Sequence, residues 1–337
     1  MTKKIYVAYT GGTIGMQPSS SGYAPACNLT ALLHKAIPKA VMNSLPQFHL
    51  FEYEQLVDSS NILPDNWRQM AIDIANHYEP YDGFVILHGT DTMAYSCSML
   101  SFMLSNLQKP VIFTGSQIPL CEPNSDGLTN FIGALSAASD ERLKEVCLYF
   151  NNRLFRGNRS RKQSSDDLDA FDSPNYPLLG HTEINIELNE SLLWKPTGPE
   201  NFQLACDTES HVLPLCLFPG ISADWLKIAL NQPYSAFILK TYGTGNGPDQ
   251  DIKLLNVLSN TIEQGKIIVN QTQCRSGSVQ QNHYAAGSAF AKAGLLSGYD
   301  STPEALFCKL HHLFSTNLPP EQIRTLLHTN ISGELTL

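Results

Sequence analysis

Two short segments of the sequence place threonines beside glycines at the ends of apolar runs. One run leads into residues 10–13 (Thr-Gly-Gly-Thr), and another leads into residues 88–92 (His-Gly-Thr-Asp-Thr). A threonine hydroxyl becomes a nucleophile when a positioned base takes its proton. The two segments therefore indicate halves of one site for a small polar molecule, with Thr13, Thr90 and Asp91 as candidate catalytic residues.

A base and a mobile hydroxyl group are available elsewhere in the chain. Lys162 ends segment 156–162, which contains four cations and is ordinarily interpreted as a solvated basic loop. A lysine that is partly buried beside other cations can instead act as a general base. Segment 16–28 has the Ser, Gly and Pro content of a mobile loop and holds one aromatic residue, Tyr23. Such a loop can close over Thr13 and bring a phenol to it.

Each of these features is also typical of ordinary structure. A Gly-Gly turn followed by a capping threonine is common, and Asp91 or Thr92 can simply cap a helix that begins at Met93. Segment 58–60 (Asp-Ser-Ser) has the composition of a helix cap. For His88 we expect a structural role, with its ring bonded to nearby backbone. The functional interpretation therefore depends on these segments meeting at one place.

The elements that must position these residues alternate along the chain. Short β-branched or aromatic runs are followed by longer amphipathic stretches, which is the pattern of a parallel sheet wrapped by helices. We expect an α/β fold with a larger N-terminal domain, whose sheet is mostly parallel and doubly wound, and a smaller C-terminal α/β domain. The expected strands are 5–9, 48–53, 84–87, 111–114, 146–150, 213–218, 235–241 and 267–272, and the expected helices are 66–77, 93–106, 222–231, 249–263, 303–315 and 320–328.

Polar segments follow four of the expected strands, at 10–13, 58–60, 88–92 and 114–117. In open α/β sheets the ligand binds beyond the carboxyl ends of the strands, where loop amides and helix N-termini converge. In segment 58–60 the aspartate can hold an ammonium group, and a serine hydroxyl can hold a carboxylate. The four segments thus predict one polar rim.

A break in the alternating pattern predicts the domain boundary. Residues 191–212 include a Pro-Thr-Gly-Pro sequence, which interrupts any regular element. We expect an N-terminal domain over 1–190 that carries the catalytic threonines, a linker over 191–212 and a C-terminal domain over 213–337.

Composition and charge argue against several classes of function. The chain has 22 basic and 31 acidic side chains and a net charge of -9, which disfavours nucleic acid as a partner. No stretch approaches the ~20 apolar residues of a membrane span. The N-terminal apolar run is too short for a secretory signal, so we expect a cytoplasmic protein.

Motifs for metals and nucleotides are missing from the sequence. The eight cysteines form no Cys-x-x-Cys pair, and His and Cys are not clustered as in a metal site. The glycine-rich turn matches neither Gly-x-Gly-x-x-Gly nor a Walker loop, which disfavours a nucleotide or phosphate binder. We therefore expect neither metal nor organic cofactor.

Taken together, the motifs resemble those of the bacterial L-asparaginases, most closely the cytoplasmic type I enzymes. The resemblance runs from Ile5 to Gly333, and the paired threonine signatures in this order are far more specific than either alone. The segments that carry it are 10–15, 58–60, 83–92, 114–117, 156–159, 242–246 and 272–274.

The resemblance implies hydrolysis of L-asparagine to L-aspartate and ammonia through a threonine acyl-enzyme. Thr13 stands at the family's first catalytic position and would attack the side-chain amide with help from Tyr23. Thr90, Asp91 and Lys162 stand at the second set of catalytic positions. There they would activate a nucleophile, either the attacking threonine or the water that cleaves the ester.

The same resemblance implies a binding site for the substrate's backbone groups. Asp58, Ser59 and Ser60, together with Thr90 and Asp91, would hold the α-ammonium and the α-carboxylate of asparagine.

The resemblance also implies an assembly and a second ligand site. Family members are homotetramers built as dimers of intimate dimers, and Asn246 matches a position that reaches into a neighbouring subunit's active site. Some type I members bind asparagine at an effector site, for which Lys240, Thr272 and Cys274 are the candidates here. Lys240 stands where we expect arginine, and a lysine cannot grip a carboxylate with two parallel bonds.

Three other functions fit parts of the pattern. A glutaminase, or an enzyme of broad specificity, differs by one methylene in its substrate, which a pocket discriminates by only ~1–3 kcal/mol. The amide-hydrolysing subunit of a tRNA-dependent amidotransferase usually has an additional N-terminal domain, for which the turn at Thr10 leaves no room. A non-catalytic amino-acid sensor would need neither Tyr23 nor Lys162, so their presence favours an enzyme.

Overall fold

The computed structural model describes residues 3–337 except 21, 27, 184, 197–200, 206–210, 282–284 and 317. The chain divides into two compact units, Met1–Cys206 and Asp207–Leu337. The predicted linker over 191–212 lies partly outside the described residues and stays a prediction. Among the described residues, no helix combines the length and the apolar character that crossing a membrane requires.

The first unit is built on an eight-stranded sheet. Its strands and helices in chain order are β1 (Lys4–Tyr9), β2 (Met16–Ser19), β3 (Gly22–Pro25), α1 (Leu29–Ala36), α2 (Lys39–Met42), β4 (Gln47–Glu52), α3 (Pro64–Asn76), β5 (Gly83–Leu87), α4 (Met93–Met103), β6 (Leu104–Ser105), β7 (Val111–Thr114), α5 (Gly127–Ala138), β8 (Val146–Phe150), β9 (Arg153–Arg156), β10 (Arg161–Lys162), β11 (Phe171–Asp172), β12 (Gly180–Thr182), β13 (Ile186–Leu188) and β14 (Gln203–Leu204). The sheet order is β13-β12-β9-β8-β7-β5-β1-β4. Pairing is parallel from β4 to β8 and antiparallel from β8 to β13.

Helices cover both faces of this sheet. The central strands β1, β5, β7 and β8 are almost entirely buried, and for this reason they read as continuous apolar runs without alternation. On one face, Val7 of β1 belongs to the same core cluster as Phe131 of α5. On the other face, the Tyr6 hydroxyl donates to Asp73 of α3 at 2.8 Å. The predicted doubly wound, mostly parallel sheet is thus confirmed.

The structure adds two features that the sequence pattern does not predict. Within segment 16–28, β2 and β3 form an antiparallel hairpin in which Pro18 pairs with Tyr23, so this part is ordered rather than a plain loop. The far edge of the sheet is antiparallel, because β9 returns directly from β8 through the left-handed residues Asn151 and Asn152. Such a short return leaves no room for a crossover helix.

The second unit is a smaller α/β unit. Its elements are β15 (Val212–Cys216), α6 (Ala223–Leu230), β16 (Ala236–Thr241), α7 (Ile252–Glu263), β17 (Ile267–Thr272), α8 (Ala285–Lys292), β18 (Leu296–Ser297), α9 (Pro303–Ser315) and α10 (Pro320–Leu327). The four strands are parallel in the order β15-β16-β17-β18. Two core clusters occupy the two faces, since Phe237 and Ile238, neighbours on β16, belong to different clusters. This matches the predicted smaller C-terminal α/β domain.

Candidate active site

Four strand ends adjoin at one edge of the first unit's sheet. The parallel strands β4, β1, β5 and β7 are neighbours, so the residues that follow them emerge side by side. The Thr10 amide donates to the Leu87 carbonyl at 3.1 Å, the His88 amide to the Thr114 carbonyl at 2.9 Å, and the Val57 amide to the Thr10 carbonyl at 2.9 Å. These bonds hold the four polar segments together at the rim that the sequence predicts.

Glycines let these turns approach more closely than side chains would allow. A Cβ atom on Gly12 would overlap with the backbone of Gly89, and a Cβ atom on Gly89 would overlap with the Ser59 side chain. Gly12 also has a φ of 86°, in the left-handed region that glycine adopts without strain. The two threonine segments are therefore in backbone contact.

The two threonines of the first turn have different surroundings. Thr10 Oγ1 donates to the Leu87 carbonyl at 2.9 Å, and the residue is buried. Thr13 begins a 3-10 turn and is half-buried, and its hydroxyl makes no hydrogen bond to any residue that the structure describes. Thr10 therefore supports the turn, whereas the hydroxyl of Thr13 is available to a ligand.

Lys162 lies against the second threonine segment. Its Nζ donates to Thr90 Oγ1 at 2.8 Å and to Asp91 Oδ1 at 2.6 Å. Thr90 is buried, while the Asp91 side chain is 60% exposed and so remains open to a ligand. The backbone of Lys162 is fixed because β10 pairs with β11. The structure thus brings Thr90, Asp91 and Lys162 together.

Gln117 is a further member of this group. The Thr90 hydroxyl donates to Gln117 Oε1 at 3.0 Å. Gln117 Nε2 donates to the carbonyls of Ser165 and Asp167 at 3.3 and 3.0 Å, and since carbonyls only accept, Oε1 must face Thr90. The Thr90 proton therefore points to Gln117 while its oxygen accepts from Lys162.

The basic segment that leads to Lys162 is not a solvated loop, contrary to the ordinary interpretation of its composition. Arg156 and Arg159 are 4% and 1% exposed. Arg156 Nε lies 2.7 Å from Glu145 Oε2, and both guanidinium groups lie over the Tyr176 ring at 4.5 and 5.0 Å from its centroid. Ion pairing and cation–π contact compensate for burial of these charges. The arginines are part of the framework that holds the lysine.

His88 has the structural role that the sequence predicts. Its Nδ1 donates to the Gly89 carbonyl at 2.7 Å, and its Nε2 lies 2.9 Å from Ser96 Oγ, which accepts from Trp67 Nε1 at 2.9 Å. Complete burial lowers the pKa of His88 to about 4, so the ring is neutral and Nε2 accepts from Ser96. This chain of hydrogen bonds fixes the start of the Thr90 turn.

Of the two segments whose composition is typical of helix caps, one caps a helix and the other does not. Thr92 occupies the N-cap of α4, but its hydroxyl donates to the Ser59 carbonyl at 2.7 Å instead of capping the helix. Asp58 does act as a cap, because its Oδ1 accepts from both the amide and the hydroxyl of Ser60 at 3.0 Å. Ser59 is buried and Ser60 is exposed on the rim.

Tyr23 lies on the hairpin that follows the Thr13 turn, and β3 packs beside residues Thr13–Gly15. The Tyr23 hydroxyl donates to Glu122 Oε1 at 2.5 Å, and this hydrogen bond raises the pKa of the phenol above its usual value. The side chain is 49% exposed. Between these two described residues, Tyr23 and Thr13, there is no hydrogen bond.

The remaining predicted site residues lie in the second unit. Lys240 is in β16 and Thr272 ends β17. Thr272 Oγ1 donates to a backbone carbonyl at 2.5 Å and accepts from the Cys274 amide at 3.0 Å. Asn246 closes a tight turn through two backbone hydrogen bonds of 2.8 Å.

Two loop residues that hold the site, Asp126 and Glu122, are not among the residues that the sequence predicts. Asp126 accepts from the backbone amides of Gln117 and Ile118 at 3.0 Å, and thereby fixes the turn that carries Gln117. Glu122 holds Tyr23 from the same loop. The one available signal is that Asp126 directly precedes α5, a position from which an aspartate commonly bonds to backbone amides.

The geometry defines an enzyme site suited to a hydroxyl nucleophile. One threonine is bonded to an ammonium group, and a second, unbonded threonine lies on a turn in backbone contact with it. Residues 4–194 match the family model for the N-terminal domain of asparaginase, and residues 211–327 match the model for the C-terminal domain of glutaminase and asparaginase. The chain therefore belongs to the asparaginase family, as its paired motifs predict.

Several relatives are similar to the chain over nearly its whole length. L-asparaginase 1 of Escherichia coli K12 is 48% identical over 99% of this chain and 98% of that protein. The crystal structure of L-asparaginase I from Vibrio cholerae is 46% identical, with a TM-score of 0.91 over 100% of both chains. The thermostable L-asparaginase from Thermococcus kodakarensis is 31% identical, with a TM-score of 0.86 over 99% of both chains. The resemblance to type I enzymes is thus confirmed.

Proposed function

We propose that this enzyme hydrolyses L-asparagine to L-aspartate and ammonia through an ester on Thr13. The observation that carries the proposal is the Lys162–Thr90 hydrogen bond beside a Thr13 hydroxyl with no partner among the described residues. The relatives named above, all called L-asparaginases, support asparagine as the substrate.

In the first stage, the Thr13 oxygen attacks the carbon of the side-chain amide. The threonine proton passes to a base, the departing nitrogen takes up a proton and leaves as ammonia, and an aspartyl ester remains. Tyr23 assists from the hairpin beside Thr13. Loop amides near Thr13 and Thr90 stabilise the oxyanion, a contribution of about 3 kcal/mol per donor.

Once its ammonium group has released a proton to solvent, Lys162 acts as a neutral amine base for the nucleophile through Thr90. That nucleophile is either Thr13 in the first stage or the water that cleaves the ester in the second. Because the Thr90 hydroxyl donates to Gln117 at rest, it must rotate toward Lys162 for this transfer. Rotation of the hydroxyl about its Cβ–Oγ1 bond is enough, since Lys162 Nζ is already within 2.8 Å.

The backbone groups of asparagine bind on the same rim. Asp58 and Asp91 offer carboxylates to the α-ammonium, and Ser59 and Ser60, with adjacent loop amides, bind the α-carboxylate together with Thr90. The support for this assignment is that Asp91 is 60% exposed, while Asp58 borders the Gly89–Ser59 contact. Charge-assisted hydrogen bonds of this kind orient a zwitterion strongly.

The test is ammonia release by the purified enzyme, with Lys162→Met compared against Lys195→Met. Lys195 is exposed and makes no hydrogen bond to described residues, so it is a matched control. We expect Lys162→Met to lower kcat by about 100-fold or more, as for other general bases. Full turnover in Lys162→Met would remove this mechanism.

Glutamine is a second candidate substrate. The family model that matches the second unit is named for both glutaminase and asparaginase. Turnover of the two amides at equal, low concentration measures the ratio of their kcat/KM values. A ratio above about 10 in favour of asparagine supports the assignment, since one methylene is worth roughly 10- to 200-fold.

We propose further that the enzyme is a homotetramer, a dimer of intimate dimers, in which Asn246 of one subunit completes the active site of another. The support is the family resemblance. Subunit exchange tests it: a mixture of Thr13→Ala and Asn246→Ala chains should recover activity that neither has alone. Failure of the mixture to recover activity would overturn the role of Asn246.

We also propose an effector site for asparagine at Lys240, Thr272 and Cys274. Its support is the family pattern at the last two positions, while Lys240 offers one point charge where arginine would offer two donors. Rate measured against asparagine concentration decides it. A sigmoid curve that becomes hyperbolic in Thr272→Val supports the site, and a hyperbolic curve in the parent enzyme removes it.

A cytoplasmic location and the domain division 1–190, linker 191–212 and 213–337 complete the proposal. Six described cysteines are free thiols, as is usual in a reducing compartment. Cell fractionation tests the location. Limited proteolysis tests the division, with first cleavage expected within 191–212.

A further inference from the structure

The chemistry proposed for Tyr23 leaves one contact unexplained, its hydrogen bond to Glu122. The phenol donates to Glu122 Oε1 at 2.5 Å, across 99 positions of sequence. Tyr23 is 49% exposed, and water could satisfy its hydroxyl without any partner. A short bond between a phenol and a carboxylate is charge-assisted and therefore sets the direction of the phenol proton.

Glu122 is itself held in place against the same turn. The Leu120 amide donates to the Ile14 carbonyl at 3.1 Å, and the Glu122 amide donates to the Pro119 carbonyl at 3.0 Å. Pro123 follows and restricts the backbone of Glu122 to extended conformations. The backbone of segment 119–122 is therefore held against the residue next to Thr13, and this places the Glu122 carboxylate within reach of Tyr23.

The hydrogen-bond direction at Tyr23 has a chemical consequence. A phenol has one proton and two acceptor lone pairs. Because its proton is donated in the hydrogen bond to Glu122, the phenol oxygen can only accept hydrogen bonds from its other neighbours. The turn Thr13–Gly15 lies beside β3, and the Thr13 hydroxyl has no partner among the described residues, so it is a donor that such an oxygen can take.

We propose that Glu122 is a positioning residue that makes Tyr23 a hydrogen-bond acceptor for the Thr13 hydroxyl. Glu122 accepts the hydrogen bond of the phenol, so the phenol oxygen accepts a hydrogen bond from the Thr13 hydroxyl and orients it for attack, while the Thr13 proton itself passes to the base of the first stage. This proposal rests on the proposed function, because it assumes that Tyr23 assists Thr13. Glu122 touches neither the substrate nor the attacking oxygen and acts through Tyr23.

Four variants of the full-length enzyme test the proposal: Glu122→Ala, Glu122→Gln, Tyr23→Phe and the double variant Tyr23→Phe/Glu122→Ala. Glu54→Ala is the matched control, because Glu54 is exposed and makes no hydrogen bond to described residues. For each protein we measure kcat and KM for asparagine and the midpoint of thermal unfolding.

Glu122→Ala should lower kcat roughly 10- to 100-fold, the range for loss of a hydrogen bond to a charged group, with KM within about twofold of the parent. Glu122→Gln should recover most of that loss, since its Oε1 still accepts the hydrogen bond from the phenol. In the double variant, kcat should equal that of Tyr23→Phe alone, because Glu122 has no other route to the reaction. The thermal midpoints should match that of Glu54→Ala.

Other outcomes overturn the proposal and separate it from the proposed function. If Glu122→Ala raises kcat, the contact restrains the hairpin and the positioning role is wrong. If Glu122→Ala lowers kcat further in the Tyr23→Phe background, Glu122 does not act through the hydrogen bond from the phenol. The same conclusion follows if Glu122→Gln does not recover the kcat that Glu122→Ala loses. If Tyr23→Phe keeps full kcat, the assumed role of Tyr23 fails, and the Glu122 proposal fails with it.

Discussion

The two threonine turns occupy the same sheet edge, but their hydroxyls are held in opposite ways. Thr90 is 5% exposed, accepts from Lys162 at 2.8 Å and donates to Gln117 at 3.0 Å. Thr13 is half-buried and its hydroxyl has no partner among the described residues. The Thr90 hydroxyl thus has both its donor and its acceptor within the chain. The Thr13 hydroxyl gains a hydrogen-bond partner only from a ligand or from its hairpin.

This difference agrees with the two different roles that we propose for Thr13 and Thr90. A hydroxyl that must move onto a substrate is best left without strong partners, because every bond it keeps must break in the reaction. A hydroxyl that relays a proton is best held at both ends, since relay requires fixed distances. Substitutions at the two turns should therefore change activity and stability in different proportions.

The largest effect is expected from the isosteric pair Thr13→Val and Thr90→Val. Thr13→Val should lower kcat by about 10,000-fold or more, as for other covalent nucleophiles, and change the free energy of unfolding by less than about 0.5 kcal/mol. Thr90→Val should also abolish most turnover. It should in addition cost about 1–3 kcal/mol of stability, because the buried Thr90 hydroxyl loses its hydrogen bonds to the partly buried Lys162 and Gln117 side chains.

Steady-state kinetics and urea unfolding of both variants provide the measurement. Equal losses of stability in the two variants would contradict the contrast between a free hydroxyl and a bonded one.

The contact between the turns is tested by Gly12→Ala. Gly12 and Gly220 have φ angles of 86° and 85°, but only a Cβ on Gly12 would overlap with backbone, since nothing lies within 4 Å at Gly220. Both substitutions place a side chain at positive φ, which costs about 1–3 kcal/mol. Gly12→Ala should cost about 1–3 kcal/mol more for the overlap, and should lower kcat by about 100-fold through displacement of Thr13.

Gly220→Ala serves as the control in this comparison and should retain parental kcat. Similar stability losses in the two glycine variants would show that the turns can separate without cost.

The framework behind Thr90 is tested by the pH dependence of stability. The pKa of His88 is about 4 in the folded chain, against 6.5 for an ordinary imidazole, because the ring is buried. Between these values the unfolded chain binds a proton that the folded chain does not, so stability is complete above pH 6.5 and falls as pH decreases toward 4.

Once this loss is complete, His88 has lowered the free energy of unfolding by about 3 kcal/mol. Chemical unfolding at pH 7 and pH 4.5 should show a smaller pH-dependent loss in His88→Asn than in the parent. His312, whose pKa burial also lowers to about 4, contributes equally to both proteins and cancels in the comparison. An unchanged pH dependence would contradict a neutral, buried His88.

The smallest effect is expected from Thr10→Val, within the same turn as Thr13. The lost hydroxyl bond to the Leu87 carbonyl should cost about 1 kcal/mol, and the backbone amide of Thr10 continues to bond that carbonyl. We expect kcat within about threefold of the parent, as for a substitution that removes no group from the reaction. A loss as large as that of Thr13→Val would instead make Thr10 a catalytic residue.

The framework of the site was predictable because its strands have an unambiguous physical signature. Segments 111–114, 146–150 and 267–272 match β7, β8 and β17 residue for residue, since central parallel strands need continuous apolar runs. The rim followed from the topology, as parallel strands end at the same edge. The fold class and the meeting of four polar segments needed no further information.

The loop contacts were not predictable, because they depend on partners that are distant in sequence. Gln117 faces Thr90 only because the carbonyls of Ser165 and Asp167 orient its amide. Segment 156–162 looks solvated by composition, yet Arg156 pairs with Glu145, and Arg156 and Arg159 are buried against the Tyr176 ring. A polar residue in a loop carries no periodic signal, so its role emerges only from the folded chain.

The central claim is that Thr13, not Thr90, carries the acyl group, and acid quenching during turnover tests it most directly. The enzyme is mixed with isotope-labelled asparagine, quenched within one turnover, digested and analysed by mass spectrometry. We predict an aspartyl ester on the peptide that contains Thr13 and none on the peptide that contains Thr90. An ester on Thr90 would contradict the account.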